Sequence, residues 1–371
     1  MKKIIASLLL LGIFNGLMAE DPETLGIGEK APDFSLLGID GLTYSLESFK
    51  EAELLCIVFS ANHCPTAQAY EERMKELSAD YGPEQMRLVA ISSNYPEAVC
   101  LEELGYSDMG DNYEDMKIRA VDKAFNFPYL YDGETQEVAI AFGARATPHV
   151  FIFDRERKLR YTGRIDEMED PYQVPEHNDA RSAIDALLAG KAVPVETTKA
   201  FGCSMKWKSK VDWRRTLDER WAEKAVTLTG IDASGVKDLV ANQGEDLRLI
   251  NVWATWCGPC IIEFPEFIDM QRMYGARGFE VISVSMDRVE KEKKVLEFLE
   301  EMQAAFDNYL NTSTGRDVFI EAFDPDWQGN LPFTMLIAPG GEIIYTHDGI
   351  IDPLELKKAI VGQLGRYFAD D

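Results

Sequence analysis

Two cysteines separated by Gly258-Pro259 carry the strongest chemical signal in this 371-residue chain, in the run Trp256-Cys257-Gly258-Pro259-Cys260. That spacing suits thiol–disulfide exchange. A Cys257 thiolate attacks a disulfide, and Cys260, three residues on, attacks the mixed disulfide from within the same turn. Half of a zinc site has the same spacing, but the other half needs two more Cys or His at ligand distance. The chain has no second CxxC and no HxxxH. A mostly apolar run, Leu249-Ile250-Asn251-Val252-Trp253, precedes the pair, and IIEFPEFIDMQRMY follows it. Strand, turn and helix in that order place Cys257 at a helix N-terminus, where free N–H groups and the macrodipole favour the thiolate. No resident cofactor or metal is expected, because the dithiol itself carries the electrons.

The arrangement recurs. Residues 54–73, LLCIVFSANHCPTAQAYEER, form an apolar run, a cysteine turn and an amphipathic helix, as do residues 247–267. Ala146-Thr147-Pro148-His149 opens a strand and hairpin, as Leu331-Pro332-Phe333 does later. Strands alternate with helical patterns between these echoes, and repetition of one supersecondary plan predicts two tandem copies of one α/β fold. Each copy is expected to be a central mixed sheet flanked by helices. The boundaries read as a signal peptide at 1–19, a first domain at 20–192, a connector at 193–234 and a second domain at 235–371. Lys2-Lys3, the apolar run IIASLLLLGIF and Gly16-Leu17-Met18-Ala19 have the pattern of a secretory signal, so a periplasmic or secreted protein is expected. The chain has 64 acidic and 38 basic side chains, a formal charge of −26, which argues against nucleic acid as a partner.

The second copy, about residues 235–368, resembles thioredoxin-fold domains of the TlpA/ResA type through INVWATWCGPC…EFP and NLPFTMLIAPGGEII. The resemblance implies that Cys257 is the nucleophile and Cys260 the resolving thiol, with Trp256, Gly258 and Pro259 shaping the turn. It also implies a cis peptide before Pro332, facing the CxxC, and a buried acid/base at Glu263 for the Cys260 proton. Asn251 stands where ordinary thioredoxins carry a buried aspartate.

The first copy resembles the redoxin (AhpC/TSA, peroxiredoxin-like) group. The residues that carry this are GEKAPDFSLLGIDG, Asn62-His63-Cys64-Pro65, FPYLYDGETQEVAIAFGARATPHVFIFD and the tail Gly202-Cys203-Ser204-Met205-Lys206-Trp207-Lys208. Cys64 then stands where peroxiredoxins place the peroxide-reactive thiol. His63, and His149 after Pro148, are candidates to lower its pKa as imidazolium neighbours, and Arg145 is the candidate arginine for a bound peroxide. Ala61 stands where a peroxiredoxin has Thr or Ser, so one peroxide-holding hydroxyl is missing. Cys203 and Cys100 are the candidate resolving thiols. Cys203 is favoured because a mobile tail can carry a thiol between sites. Four cysteines outside the CxxC allow three full pairings.

These readings converge on an extracytoplasmic thiol–disulfide oxidoreductase, read as a reductase from its Gly-Pro dipeptide. Its partners would be disulfide-containing client proteins, a membrane electron donor and peroxides. Electrons could pass from Cys257–Cys260 to Cys64 for antioxidant activity. Alternatives remain: a one-centre oxidoreductase with a non-catalytic docking domain, or a metal carrier for cytochrome or oxidase assembly using Cys64, His63 and His149.

Overall fold

A computed structural model describes residues 22–367, except 169 and 171. The expected signal peptide lies outside the described residues.

In the first unit the strands are β1 (Leu36–Gly38), β2 (Thr43–Tyr44), β3 (Leu54–Ser60), β4 (Met86–Ser92), β5 (Tyr129–Tyr131), β6 (Ala146–Thr147), β7 (His149–Phe153), β8 (Leu159–Gly163) and β9 (Cys203–Ser204). Seven of them form one sheet in the order β2-β1-β5-β4-β3-β7-β8, while β6 and β9 form a separate pair. Every residue of β3 is buried, as befits a central strand covered on both faces. Its side chains alternate between two cores. Leu55, Ile57 and Phe59 pack with Phe142, Phe151 and Phe153, whereas Cys56 and Val58 pack with Tyr70, Met74 and Leu77.

The second unit repeats the plan with β10 (Thr229–Ile231), β11 (Leu247–Trp253), β12 (Phe279–Ser285), β13 (Asp307–Asn311), β14 (Phe333–Ile337) and β15 (Ile343–Asp348). The order is β10-β13-β12-β11-β14-β15. In both units the central strand runs parallel to the next one in sequence and antiparallel to the strand after the proline turn. Both Thr147–Pro148 and Leu331–Pro332 are cis.

The connector divides differently from the expected 193–234 linker. Thr197 bridges to Thr162, β9 pairs with β6, and Met205 and Trp207 enter the first unit's core. The tail therefore belongs to the first unit. Apolar burial on both flanks of Cys203 holds it there, contrary to the mobile carrier that the sequence suggested. In the helix Val211–Ala222, Trp221 packs into the second unit beside Cys257, Cys260 and Trp253. Its indole N–H donates to the Gln303 carbonyl at 3.0 Å. Trp213 on the same helix is exposed, and the Arg220 guanidinium lies over its ring.

The units meet through the loop at 101–108. Leu101 and Leu104 pack on the second unit's core. Tyr274 donates its hydroxyl to the Ser107 carbonyl at 2.8 Å, Arg277 donates to Gly105 O, and Arg366 pairs with Asp108 at 2.6 Å. Ser107 in turn donates its hydroxyl to the Asn62 carbonyl, two residues from Cys64. Tyr274 is the last residue of the helix Gly258–Tyr274, whose N-terminus is capped by Cys257. At about 1.5 Å rise per residue, the two cysteine turns are held at opposite ends of a helix roughly 25 Å long. Among the described residues no helix is long and apolar enough to cross a membrane.

Candidate functional site

The CxxC turn leaves the central strand β11 and enters the 17-residue helix Gly258–Tyr274. Cys257 is its N-cap, and Cys257 Sγ accepts the Cys260 N–H at 3.3 Å. The two cysteines are joined by a disulfide, with Cα atoms 5.3 Å apart. Pro259 occupies the first turn of the helix, where its missing N–H costs nothing. Gly258 faces open space. Asp287 pins the turn from the neighbouring strand's end, accepting the Thr255 N–H at 2.7 Å and the Thr255 hydroxyl at 2.8 Å. Sequence reasoning missed Asp287; the VISVSMD run could have indicated a polar residue at a sheet end, but not its target.

Leu331, before cis-Pro332, packs with Cys257 and Cys260. Trp256 and Ile262 are 67% and 73% exposed beside an almost covered disulfide, so the turn offers an apolar rim and little sulfur. A cleft of about 950 Å³ adjoins it, lined by Trp256, Leu331, Arg288, Lys291, Lys294 and Arg316 among others.

Glu263, three residues past Cys260, is buried at 3% exposure, so it is no exposed helix residue. Its Oε1 accepts from Asn251 Nδ2 at 3.1 Å and its Oε2 from the Ile351 N–H at 3.0 Å. Burial pushes its pKa up to about 7, against the pull of those two donors. Asn251 also donates to Thr334 Oγ1, and its own Oδ1 has no hydrogen-bond partner. The amide therefore suits either protonation state of Glu263. As placed, Nδ2 serves the carboxylate; rotated by half a turn, Oδ1 accepts from the carboxylic acid. An aspartate at 251 would instead set a second negative charge against Glu263.

In the first unit, Cys64 follows β3 and is fully buried. Its Sγ accepts from the Ala67 N–H at 3.4 Å and lies 3.1 Å from the Thr147 carbonyl. Cys203, not Cys100, is the thiol placed on it: β9 pairs Cys203 with Thr147, and the Cys203 side chain packs against Cys64. Burial disfavours the Cys64 thiolate, but the Cys203 thiol and the charge on His63 outweigh it and set its pKa below the ordinary thiol range. Cys203 is held correspondingly high by the Cys64 sulfur beside it and by burial. Burial also opposes charge on His63, yet the Asp111 carboxylate, 2.5 Å from Nδ1, wins and raises its pKa. Asp111 further accepts from the Asn62 N–H and from Asn94 Nδ2.

His149 does not fill the role expected of it. Its Nδ1 accepts the Arg145 N–H, its Nε2 meets Thr162 Oγ1, and burial, helped by Arg145, lowers its pKa to about 4. It is a neutral, engaged ring rather than an imidazolium. Arg145 is exposed, and its backbone N–H is bonded to His149 rather than to the Cys64 sulfur. Cys100 is buried on the 101–108 loop's edge with its pKa up to about 11. Cys56, central in β3, is pushed to about 12 by burial alone. Among the described residues no cluster of three His, Cys, Asp or Glu is arranged to hold a metal ion.

Comparison with known proteins agrees with the doubled architecture. The AhpC/TSA family pattern matches twice, at residues 27–162 and 222–346. "Thiol-disulfide oxidoreductase ResA" of Oceanobacillus iheyensis is 30% identical over 129 residues, covering 35% of this chain and 57% of that protein. The ResA of Bacillus subtilis is 32% identical over 95 residues, covering 26% and 49%. The chain thus spans about half the length of these curated relatives. A crystal structure described as an uncharacterized conserved protein from Geobacillus kaustophilus is 39% identical, with a TM-score of 0.43, covering 49% of this chain and 93% of that one. With the family pattern on both cysteine-bearing units, the chain belongs to the AhpC/TSA family.

Proposed function

We propose that the protein is a thiol–disulfide oxidoreductase acting outside the cytoplasm as a reductase of client proteins. One observation carries the reading: Cys257 caps a long helix with Cys260 one turn behind it and, in the next turn, a buried Glu263 whose carboxylate takes up a proton near pH 7. The reduced Cys257 thiolate attacks a client disulfide. Cys260 then loses its proton towards Glu263 and displaces the client thiol, leaving Cys257–Cys260 oxidised. No strand is laid against residues 329–331 among the described residues; the Gly329 and Asn330 carbonyls accept from Arg316 and the Trp327 indole, so Leu331 is where an extended client chain would pair. Arg288, Lys291, Lys294 and Arg316 line the adjoining cleft in a chain of charge −26, which favours an acidic client segment there. The ResA likeness supports the extracytoplasmic setting, and a membrane electron carrier would return the protein to its dithiol form.

Direct relay to Cys64 within the chain is disfavoured, because the two cysteine turns sit at opposite ends of one helix. Peroxide reduction at Cys64 lacks the hydroxyl that Ala61 replaces, and the candidate arginine, Arg145, is exposed while Cys64 is fully buried. A Cys260→Ser protein tests the client reading. It should trap clients as mixed disulfides on Cys257, seen as reducible adducts in peptide maps. Adducts on any other cysteine, or none, would overturn it.

A further inference from the structure

The first unit shows a pairing that the proposed chemistry of Cys257–Cys260 does not use. Backbone beside a proline turn is where thioredoxin-type units can receive an extended chain. Here that place is taken: β9, from the chain's own tail, pairs antiparallel with β6 in the register Ala146↔Ser204 and Thr147↔Cys203. The tail is seated on both sides. Upstream, the Thr198 hydroxyl bonds Tyr161 and accepts from the Arg164 N–H. Downstream, the Lys206 N–H donates to Asn94 Oδ1 at 2.8 Å, and Gln136 Nε2 donates to the Lys206 carbonyl at 2.9 Å. Gly202 makes the close approach possible. It has φ +123, and a Cβ there would lie 2.2 Å from the Thr147 carbonyl oxygen, well inside contact distance.

The two sulfurs differ in access. Cys64 is fully buried, while Cys203 is only partly covered and flanked by the exposed Gly202 and Ser204. We propose that Cys64 and Cys203 form a second, self-contained dithiol centre that exchanges with small-molecule thiols and disulfides, with Cys203 as the entry sulfur and Cys64 as the buried leaving and resolving thiolate. Protein clients are excluded because the pairing edge is filled by β9. This goes beyond the proposed reading of Cys257–Cys260 and does not rest on it.

In the oxidised centre, a small thiolate attacks Cys203 Sγ; the Cys64–Cys203 bond breaks and Cys64 leaves as a thiolate. The Ala67 N–H and the charged His63–Asp111 pair stabilise that thiolate, and a stabilised thiolate leaves faster. A second small thiolate attacks the outer sulfur of the Cys203 mixed disulfide, releasing the small disulfide. Cys203 takes a proton from solvent and donates it in a hydrogen bond to Cys64. Two electrons have entered the pair. The reverse sequence oxidises it: Cys203 gives its proton to solvent and attacks a small disulfide, expelling one small thiolate and forming a mixed disulfide, and the Cys64 thiolate then attacks Cys203 Sγ and expels the second.

The test uses the full chain with Cys257→Ser and Cys260→Ser, so its failure is separate from any failure of the client chemistry. The protein is equilibrated in glutathione and glutathione disulfide, quenched with acid and mapped by mass spectrometry. A Cys64–Cys203 disulfide is expected, with Cys56 and Cys100 remaining thiols. Adding Cys64→Ser should leave glutathione on Cys203; adding Cys203→Ser instead should leave Cys64 unmodified. Gly202→Ala, which unseats the strand but keeps both thiols, should lower disulfide yield at a fixed glutathione ratio at least ~10-fold by reducing effective concentration. No Cys64–Cys203 disulfide at any ratio would remove the centre. Glutathione on Cys64 in the Cys203→Ser protein would reverse the assigned roles. An unchanged yield in Gly202→Ala would show that β9 does not position the thiol.

Discussion

Replacing Cys257 with serine is expected to lower reduction of a protein disulfide by at least ~10³-fold, because it removes the attacking sulfur of a two-step displacement. The fold should survive. Cys257 is a cap, and a serine hydroxyl can accept the Cys260 N–H that Sγ accepts now. Turnover is read with an insulin-type disulfide substrate and a small dithiol as electron source, and folding by circular dichroism. A folded Cys257→Ser protein with near-native turnover would move the chemistry to another cysteine. Of the four free cysteines only Cys64 has its pKa lowered, and it is fully buried and covered by its own tail.

Glu263→Gln is expected to have the next largest effect, and its sign depends on pH. Folded Glu263 titrates at about 7 because it is buried, against about 4.3 for an exposed glutamate. Between these values the folded protein keeps a proton that the unfolded chain has lost. Stability from this group is fully present below about pH 4 and is lost as the pH rises through about 7. The glutamine protein should lack that slope and be more stable than its parent at pH 8 by about 2 kcal/mol, allowing for partial relief from its two donors. Denaturant unfolding of the oxidised proteins at pH 5 and pH 8 measures this. Catalysis should move the other way. Resolution by Cys260 should speed up as Glu263 ionises near pH 7, and Glu263→Gln should flatten that profile and slow the step by ~10²-fold. An inflection near 7 that persists in the variant would assign it to a different group.

Much of this was legible in the chain. The runs at 54–59 and 247–253 become the central strands because burial on both faces demands a mostly hydrophobic sequence. The CxxC turn and both proline turns follow from short motifs, whose physics is local. The missing parts were long-range. Nothing in the neighbourhood of Asp287 announces that its carboxylate will hold Thr255, or that Asp111 will charge His63 from 48 positions away. The tail was misjudged for the same reason. Gly202-Cys203-Ser204 reads as a polar, flexible stretch, yet Met205 and Trp207 bury and draw it onto β6. His149 follows a proline that faces the cysteine turn, but a strand residue's ring goes where the sheet directs it. This ring is enclosed by Phe151 and Thr162, where charge is disfavoured.

The most direct test of the central claim is a redox titration of the full chain, with every disulfide mapped at each potential. Cys257 and Cys260 are expected to close as one two-electron couple at a reducing midpoint, nearer the about −270 mV of thioredoxin than the about −120 mV of a dedicated oxidant. If Cys257 and Cys260 remain thiols throughout the range, or close only at the oxidising end, the protein is not the reductase described.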